Sequence, residues 1–240
     1  MKNIAIIPAR SGSKGVPHKN IKKINGLPLL AYSIRAAKQS GLFAEVMVST
    51  DSAEYASIAK EYGANVPFLR SAEQSGDTAD SWAVVTEVLG QYAKQGELFD
   101  TVCLLQPTSP LRMASDIEQA YALLERCAAD AVTSVCEAEH SPLWCMTLKD
   151  DFSLKEFRSK QRQRGPRQAL DKYYRLNGAI YIRRIRYADW DVEIVHENEY
   201  AMVMDTQRSV DIDTAMDLEL AELYLKKIKG DQCSDGCGKK

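Results

Sequence analysis

The chain has 240 residues, 45% of them hydrophobic and 27% charged, with a formal net charge of −2. That is an ordinary soluble balance, with room for one large α/β domain carrying a modest insertion. It argues against bulk attraction to nucleic acid or an anionic membrane, so any anion site must be a local patch. No apolar run reaches the roughly 18 residues of a membrane-spanning helix, and no secretory cleavage pattern precedes the first strand-like segment, so a cytoplasmic location is expected.

In chain order, strand and helix signals alternate, predicting a mainly parallel sheet covered on both faces. NIAIIPA (3–9) reads as the first strand. LPLLAYSIRAAKQSG reads as a helix, with Pro28 in its first turn and Gly41 as its C-cap. EVMVSTD (45–51) is a strand, SAEYASIAKEYG a helix ending at Gly63, and NVPFLR a short strand. The next segment, DTADSWAVVTEVLGQYAKQG, sets Trp82, Val85, Leu89 and Tyr92 at helical spacing. DTVCLLQ (100–106) is the clearest central strand. SDIEQAYALLERC opens with Ser115 and Glu118 at capping-box spacing and buries Ile117, Ala120, Tyr121 and Leu124. AVTSVCE (131–137) is another strand.

The rhythm then breaks. Residues of about 140–175 are polar, basic and tyrosine-bearing and read as an insertion. GAIYIRR and YAMVMD restore strands, and SVDIDTAMDLELAELYLKKIK is a strand end, an Asp-rich turn and a final helix capped by Thr214. The domain is expected to span 1–229, with a disordered tail over 230–240. Cys103 and Cys136 lie in apolar runs and read as small core residues; Cys233 and Cys237 fall in the tail.

Three stretches carry chemistry. ARSGSKGVPHKN follows the first strand, where open parallel sheets bind ligands. Gly12 and Gly15 let backbone N–H groups approach an anion, and Arg10, Lys14 and Lys19 bring three cations. A polyphosphate fits this set, although the pattern is neither GxxxxGK[ST] nor GxGxxG, and a merely solvated loop is the competing reading. His18 is a conceivable general base, or simply a surface residue. LLQPTSPLR (104–112) follows the strongest strand, and its prolines stiffen a loop bearing Gln106, Thr108, Ser109 and Arg112, which suits base or sugar recognition. In VDIDT (210–214), Asp211 and Asp213 share one face if the segment is extended, and two adjacent carboxylates call for a cation. Mg²⁺ is suited to such a pair completed by phosphates and water; favourable acids at a helix N-terminus are the alternative.

IIPARSGSKGVPHKNI, STD (49–51), GDTAD (76–80), LLQPTSPLR, RLNGAIYI (175–182) and SVDIDT (209–214) together resemble the CMP-N-acylneuraminate cytidylyltransferases, over roughly residues 3–225. The resemblance implies a Rossmann-like α/β fold with a small dimerisation insertion. It implies that CTP and a nine-carbon α-keto acid sugar are joined at the anomeric hydroxyl, with loss of pyrophosphate. It places Arg10, Gly12, Lys14, Lys19, Asn20, Arg70, Asp80 and Ser81 with the nucleotide. It places Gln106, Thr108, Ser109, Arg167 and Asn177 with the sugar, and Asp211 and Asp213 on Mg²⁺. Arg10, Lys19 and Asp211 are then the catalytic set, in a homodimer whose partner sends a basic residue to the sugar or phosphates. The alternating Arg158, Lys160, Arg162 and Arg164 face substrate, partner or solvent. Leu176 stands where the sialic acid enzymes have proline before the asparagine, Leu170-Asp171 replaces a Leu-Pro step, and Asp80 replaces a serine. These departures leave the acceptor open among sialic, legionaminic, pseudaminic and related acids. A transferase for an eight-carbon acid and a silent nucleotide-binding protein are the competing readings.

Overall fold

The computed structural model describes residues 1–12, 15–71, 80–148, 150–155, 157, 171–188 and 191–234. Lys14, Arg167, the strip 158–164 and Cys237 therefore lie outside the described residues.

Nine strands and five helices are named here in chain order: β1 (Asn3–Pro8), β2 (Lys23–Ile24), β3 (Leu27–Pro28), α1 (Leu29–Ser40), β4 (Glu45–Ser49), α2 (Ala53–Glu61), α3 (Ser81–Lys94), β5 (Thr101–Leu104), α4 (Ala114–Arg126), β6 (Ala131–Glu137), β7 (Tyr174–Ala188), β8 (Asp191–Ile194), β9 (Glu199–Val203) and α5 (Ala215–Ser234). The main sheet has the order β4-β1-β5-β7-β6-β9, with β8 on the far end of β7. β1 pairs parallel with β4 and β5, β6 pairs parallel with β9, and β7 is antiparallel to β5, β6 and β8. Every strand of this sheet but β7 thus runs one way, which is the mainly parallel α/β sheet expected.

The short apolar strands are buried on both faces because helices cover both. Ala5, Ile7, Cys103 and Val132 pack under α1, α2 and α4 through Leu30, Ile34, Tyr55, Ile117 and Tyr121. Ile4, Ile6, Met47, Val102 and Leu104 face α3 through Val85, Leu89 and Tyr92. Each fully buried side chain of this size stabilises by about 1.5–3 kcal/mol. The helix ends follow local chemistry. Gly41 adopts φ 65° at the end of α1, and Thr214 Oγ1 accepts the Asp217 N–H at 3.3 Å at the start of α5.

Four expectations change. NVPFLR forms no strand beyond a single bridge from Asn65 to Met47, because its proline and the backbone turn to Thr50 interrupt any ladder. Pro28 precedes α1 instead of entering it, paired to Lys23 in a small ribbon. The α4 cap is closed by Asp116, whose carboxylate accepts the Met113 N–H at 2.9 Å, not by Ser115 with Glu118. α5 runs on to Ser234, past the boundary expected for the tail.

The elements that position the site meet at one edge. β1 and β5 end there, and the chain passes from β1 to β4 on one side and to β5 on the other. That is a topological switch point, where open α/β sheets form a crevice. Because β7 is antiparallel, its first residues reach the same edge: Val135 pairs with Leu176 and Leu104 with Tyr181. A third apolar cluster ties the loops together. Val16, Ile24, Leu29, Leu111, Ile212, Leu218 and Leu225 pack into one core beneath the edge.

Arg112 is the clasp of this edge. It is only 4% exposed. Its Nη1 donates to the Ala179 carbonyl at 2.8 Å and the Gln106 carbonyl at 3.3 Å, and its Nη2 donates to Ser33 Oγ. Arg112 therefore serves backbone geometry and is not the ligand-facing residue its loop suggested. Burial lowers its pKa to about 10, so it remains a cation at neutral pH. Arg112→Met removes donors from three buried acceptors, and a destabilisation of about 3 kcal/mol is expected in chemical denaturation.

Candidate active site

The amino-terminal loop is held in shape by Asp51, at the end of STD. Its carboxylate accepts the Ser11 N–H at 2.8 Å and the Ser11 hydroxyl at 2.9 Å. Asn20 is buried, and its amide donates to the Arg10 carbonyl at 3.0 Å. Asn20 thus supports the loop from below. Arg70 donates to the Ser49 carbonyl at 2.8 Å and to the Ser49 hydroxyl at 3.2 Å. Burial lowers the Arg70 pKa, with Asp51 opposing and Arg10 adding to the shift, so these three charges are neighbours. Gly12 is exposed and open on the side where a Cβ would stand.

The carboxylate pair lies against this loop. Ile212 is fully buried, so its neighbours Asp211 and Asp213 turn outward together, as an extended segment dictates. The Lys19 side chain, 14% exposed, donates to the Ile212 carbonyl at 2.6 Å and lies 3.1 Å from Asp213 Oδ1. The Ile212 N–H donates to the Thr108 carbonyl at 2.9 Å. The Asp211 carboxyl is raised above the usual aspartate range by burial among neighbouring protein. The Thr108 hydroxyl, which donates to it, acts in the opposite direction; Asp213 raises it further, and Lys19 and Arg175 oppose.

Contact between the two segments is closest at Gly15, where an added Cβ would stand 2.4 Å from the Asp213 carbonyl oxygen. That neighbour is backbone and cannot swing aside. Gly15→Ala is expected to push the loop off the carboxylates and to raise KM for the CTP that the resemblance implies about tenfold, measured by initial rates with acceptor saturating; an unchanged KM would contradict this arrangement.

β7 supplies the third wall. Between the Thr133–Tyr181 and Val135–Leu176 pairs, β6 advances two residues and β7 five, so β7 bulges. Asn177, Gly178 and Ala179 form the bulge, and Gly178 adopts φ 74°. Asn177 is 1% exposed. Its Oδ1 accepts from Ser134 Oγ at 2.6 Å and its Nδ2 donates to Ser209 Oγ at 2.9 Å. Ser109, fully buried, donates to the Asn177 carbonyl at 3.3 Å. In this structure both side chains fasten the bulge, and neither is among the residues lining the cleft beside Gln106. Gln106 does line the cleft. A Cβ on Gly178 would stand 2.7 Å from Gln106 Oε1, 3.3 Å from Ser109 Oγ and 3.5 Å from Asp211 Oδ2. The glycine therefore leaves space on which the amide and the carboxylate converge.

A cleft of about 570 Å³ opens beside Gln106 over the sheet, lined among others by Asp80, Ser81, Leu176 and Tyr181. Burial raises the Tyr181 pKa, and the negative charges of Asp211 and Glu199 add to the shift. Tyr181 thus lies within electrostatic reach of both Asp211 and Glu199. Arg10, Gly12, Lys19, Asn20, Arg70, Gln106, Thr108, Asp211 and Asp213 are all brought to one edge. Asp51, Tyr181 and Arg175 were not singled out by the sequence reading, although each falls in a stretch that carried the resemblance. Arg175 is held by Glu139, with Nη2 2.9 Å from Oε1, and this bond pulls the Glu139 pKa down to about 2.

A cationic glycine loop, a carboxylate pair and an adjoining cleft at the switch point of an α/β sheet define a nucleotide-dependent transferase site. The sequence profile of the cytidylyltransferase family matches residues 4–229, and the chain belongs to that family. It is 36% identical over 235 residues to the CMP-N,N'-diacetyllegionaminic acid synthase of Legionella pneumophila, covering 94% of this chain and 97% of that protein. It is 34% identical to a pseudaminic acid cytidylyltransferase of Campylobacter jejuni, with the same coverage of each chain. It is 38% identical to the N-acylneuraminate cytidylyltransferase of Escherichia coli, covering 92% of this chain and 51% of that one. The fold is shared with a CMP:2-keto-3-deoxy-manno-octonic acid synthetase solved with CTP, at a TM-score of 0.67 and 17% identity over 95% of this chain and 99% of that one.

Proposed function

We propose that the protein transfers the CMP moiety of CTP to the anomeric hydroxyl of a nine-carbon α-keto acid sugar and releases pyrophosphate. The observation that carries this is the closure of Lys19 onto the Ile212–Asp213 segment beside Asp211, which sets cations and carboxylates of the two chain ends around one crevice. The names of the relatives supply the substrate class.

In the reaction the anomeric oxygen forms a bond to the α-phosphorus, the bond from that phosphorus to the bridging oxygen breaks, and the electron pair leaves with pyrophosphate. Phosphoryl transfer is governed by positioning and charge stabilisation. Arg10, Lys19 and Arg70 supply positive charge at the loop, whose backbone Asp51 and Asn20 hold in place. Gln106 and Tyr181 orient the sugar in the cleft, and its hydroxyl proton passes to water.

The site suits Mg²⁺. Asp213 raises the Asp211 pKa, a repulsion a cation relieves; among the described residues no group of three or more His, Cys, Asp or Glu is placed to hold a metal, so phosphate and water would have to complete the set. Two carboxylates completed by phosphate and water are the usual magnesium set. Asp211 and Asp213 would hold the ion, which supplies neutralisation of phosphate charge when bound.

The assembly we infer is a homodimer. Trp144, Met146, Leu148 and Phe152 expose apolar surface on the insertion, with Phe152 at 74%, and a second copy would cover them. No helix among the described residues is long and apolar enough to cross a membrane, and a cytoplasmic enzyme with access to CTP is consistent with that.

The test is pyrophosphate release from CTP and Mg²⁺ with a panel of sialic, legionaminic and pseudaminic acids. Release with at least one of them is expected. Stabilisation by CTP with no release from any would overturn the reading in favour of a silent nucleotide-binding protein.

A further inference from the structure

His18 stands at the closing end of the glycine loop, and the transfer chemistry leaves it unused. Its backbone is left-handed, at φ 53° and ψ 33°. That conformation costs a residue with a side chain about 1–2 kcal/mol and suits glycine. Strain of this kind persists where surrounding contacts hold it. The contact here comes from Tyr55 in α2, whose hydroxyl oxygen lies 3.3 Å from His18 Nδ1, with the two rings tilted at 59°. The tyrosine hydroxyl donates to Nδ1 when the ring proton is on Nε2 and accepts from it otherwise, so either tautomer keeps the bond. Tyr55 is fully buried, while His18 is exposed. A core side chain thus reaches out to hold a surface loop.

The start of α2 holds the loop at both ends. Asp51 accepts the N–H and the hydroxyl of Ser11, and Tyr55, four residues further on, takes His18. Ser52 caps the helix between them and accepts the Tyr55 N–H at 3.4 Å. The spacing of the two holds is therefore set by a helix start and not by the loop itself. Directly after His18 comes Lys19, whose ammonium reaches the Ile212 carbonyl and Asp213. Backbone bonds carry the constraint forward: the Lys19 N–H donates to the Val16 carbonyl at 3.2 Å, and the Ile21 N–H to the His18 carbonyl at 3.1 Å. Val16 in turn packs in the same core as Ile212. Lysine has a long flexible stem, so a backbone fixed one residue earlier narrows where its ammonium can go.

We propose that His18 and Tyr55 are a positioning pair that pins the closing end of the loop, delivers Lys19 to the acid pair and the triphosphate together, and so sets the affinity for CTP. This rests on the cytidylyl-transfer reading above, and it gives His18 a role through its neighbour and not as a proton acceptor.

The test compares wild type, Tyr55→Phe, His18→Ala, their double variant and His18→Asn by the calorimetric Kd for CTP and by kcat and KM for pyrophosphate release. Tyr55→Phe keeps the buried ring, and both single variants leave the strained backbone without its side-chain hold. Each is expected to raise Kd and KM for CTP about fivefold, the scale of one hydrogen bond, with kcat and acceptor KM changed by less than about twofold. The double variant is expected to lose no more than either single one, because both remove the same contact. Asparagine tolerates the left-handed backbone and places an amide atom where Nδ1 stands, so His18→Asn is expected to recover the affinity lost in His18→Ala. Unchanged CTP affinity in Tyr55→Phe, multiplied losses in the double variant, or a fall in kcat of about tenfold or more in His18→Asn, as loss of a proton acceptor would give, would overturn the pair and leave cytidylyl transfer standing. If wild type releases no pyrophosphate with any acceptor, the transfer reading fails, and the CTP affinities still decide the pair. No binding of CTP by wild type would overturn both.

Discussion

Asp211→Asn is expected to lower kcat by about 10³-fold, the scale of losing one well-placed electrostatic partner in a charge-dense transfer site. The fold is expected to survive. Ile212 anchors the segment in the third core and keeps its hydrogen bond to Thr108, neither of which depends on the neighbouring carboxylate. Stability is expected to move the other way from activity. Burial, helped by Asp213, raises the Asp211 pKa against the opposing Thr108 hydroxyl, so the folded chain holds that proton more tightly than the unfolded chain does. Stability from this group then falls as pH rises through the raised value, and the ionised carboxylate is a cost at neutrality. The asparagine variant should melt no lower than wild type at pH 7, with the gap closing as the solution is acidified towards and below the unfolded aspartate range. Thermal melts without metal and turnover with Mg²⁺ separate the two effects. An inactive variant that melts well below wild type would show that Asp211 serves the fold.

Gly178→Ala is expected to cost little stability and much activity. The residue sits at φ 74° in the β7 bulge, and a left-handed non-glycine residue costs about 1–2 kcal/mol. The nearest atom to the new methyl is Gln106 Oε1 at 2.7 Å, the end of a flexible side chain that can swing away. The swing removes Gln106 from the mouth of the cleft. A displacement of about 1 Å in a positioning group can cost about 10²-fold, and that loss is expected in kcat/KM for the acceptor, with CTP affinity by calorimetry unchanged. The contrast with Gly15 is instructive. There the obstructed atom is the Asp213 carbonyl, so the same substitution acts on the nucleotide side.

Much of this was legible in the sequence because it depends on local periodicity. The buried strands, the helix faces at Val85, Leu89 and Tyr92, and the outward pair flanking Ile212 follow from spacing of two or of three to four. The direction of polar side chains in stiff loops was not legible. Ser109, Arg112 and Asn177 look like ligand contacts in QPTSPLR and LNGAIY, yet all three are buried and bonded to backbone or to each other's strands. The reason is the bulge. Its misaligned carbonyls and N–H groups need partners, and bulge register depends on which residues of β6 face β7, which no single segment encodes. The α4 cap was ambiguous for a simpler reason: Asp116 and Glu118 both stand in the first turns of the helix, and its N-cap is Met113, two residues before Ser115. The His18–Tyr55 pair was invisible because its partners are 37 residues apart, one in a loop and the other on the helix that meets it.

The central claim is that the glycine loop and the two acids enclose a single nucleotide. A crystal of the protein grown or soaked with CTP and Mn²⁺ in place of Mg²⁺ tests it, with the metal located by its anomalous signal. The triphosphate is expected along the loop from Arg10 to Lys19, with the metal peak bridging it to Asp211 and Asp213. A nucleotide bound at that loop with its metal remote from both acids, or bound elsewhere on the molecule, would contradict the account.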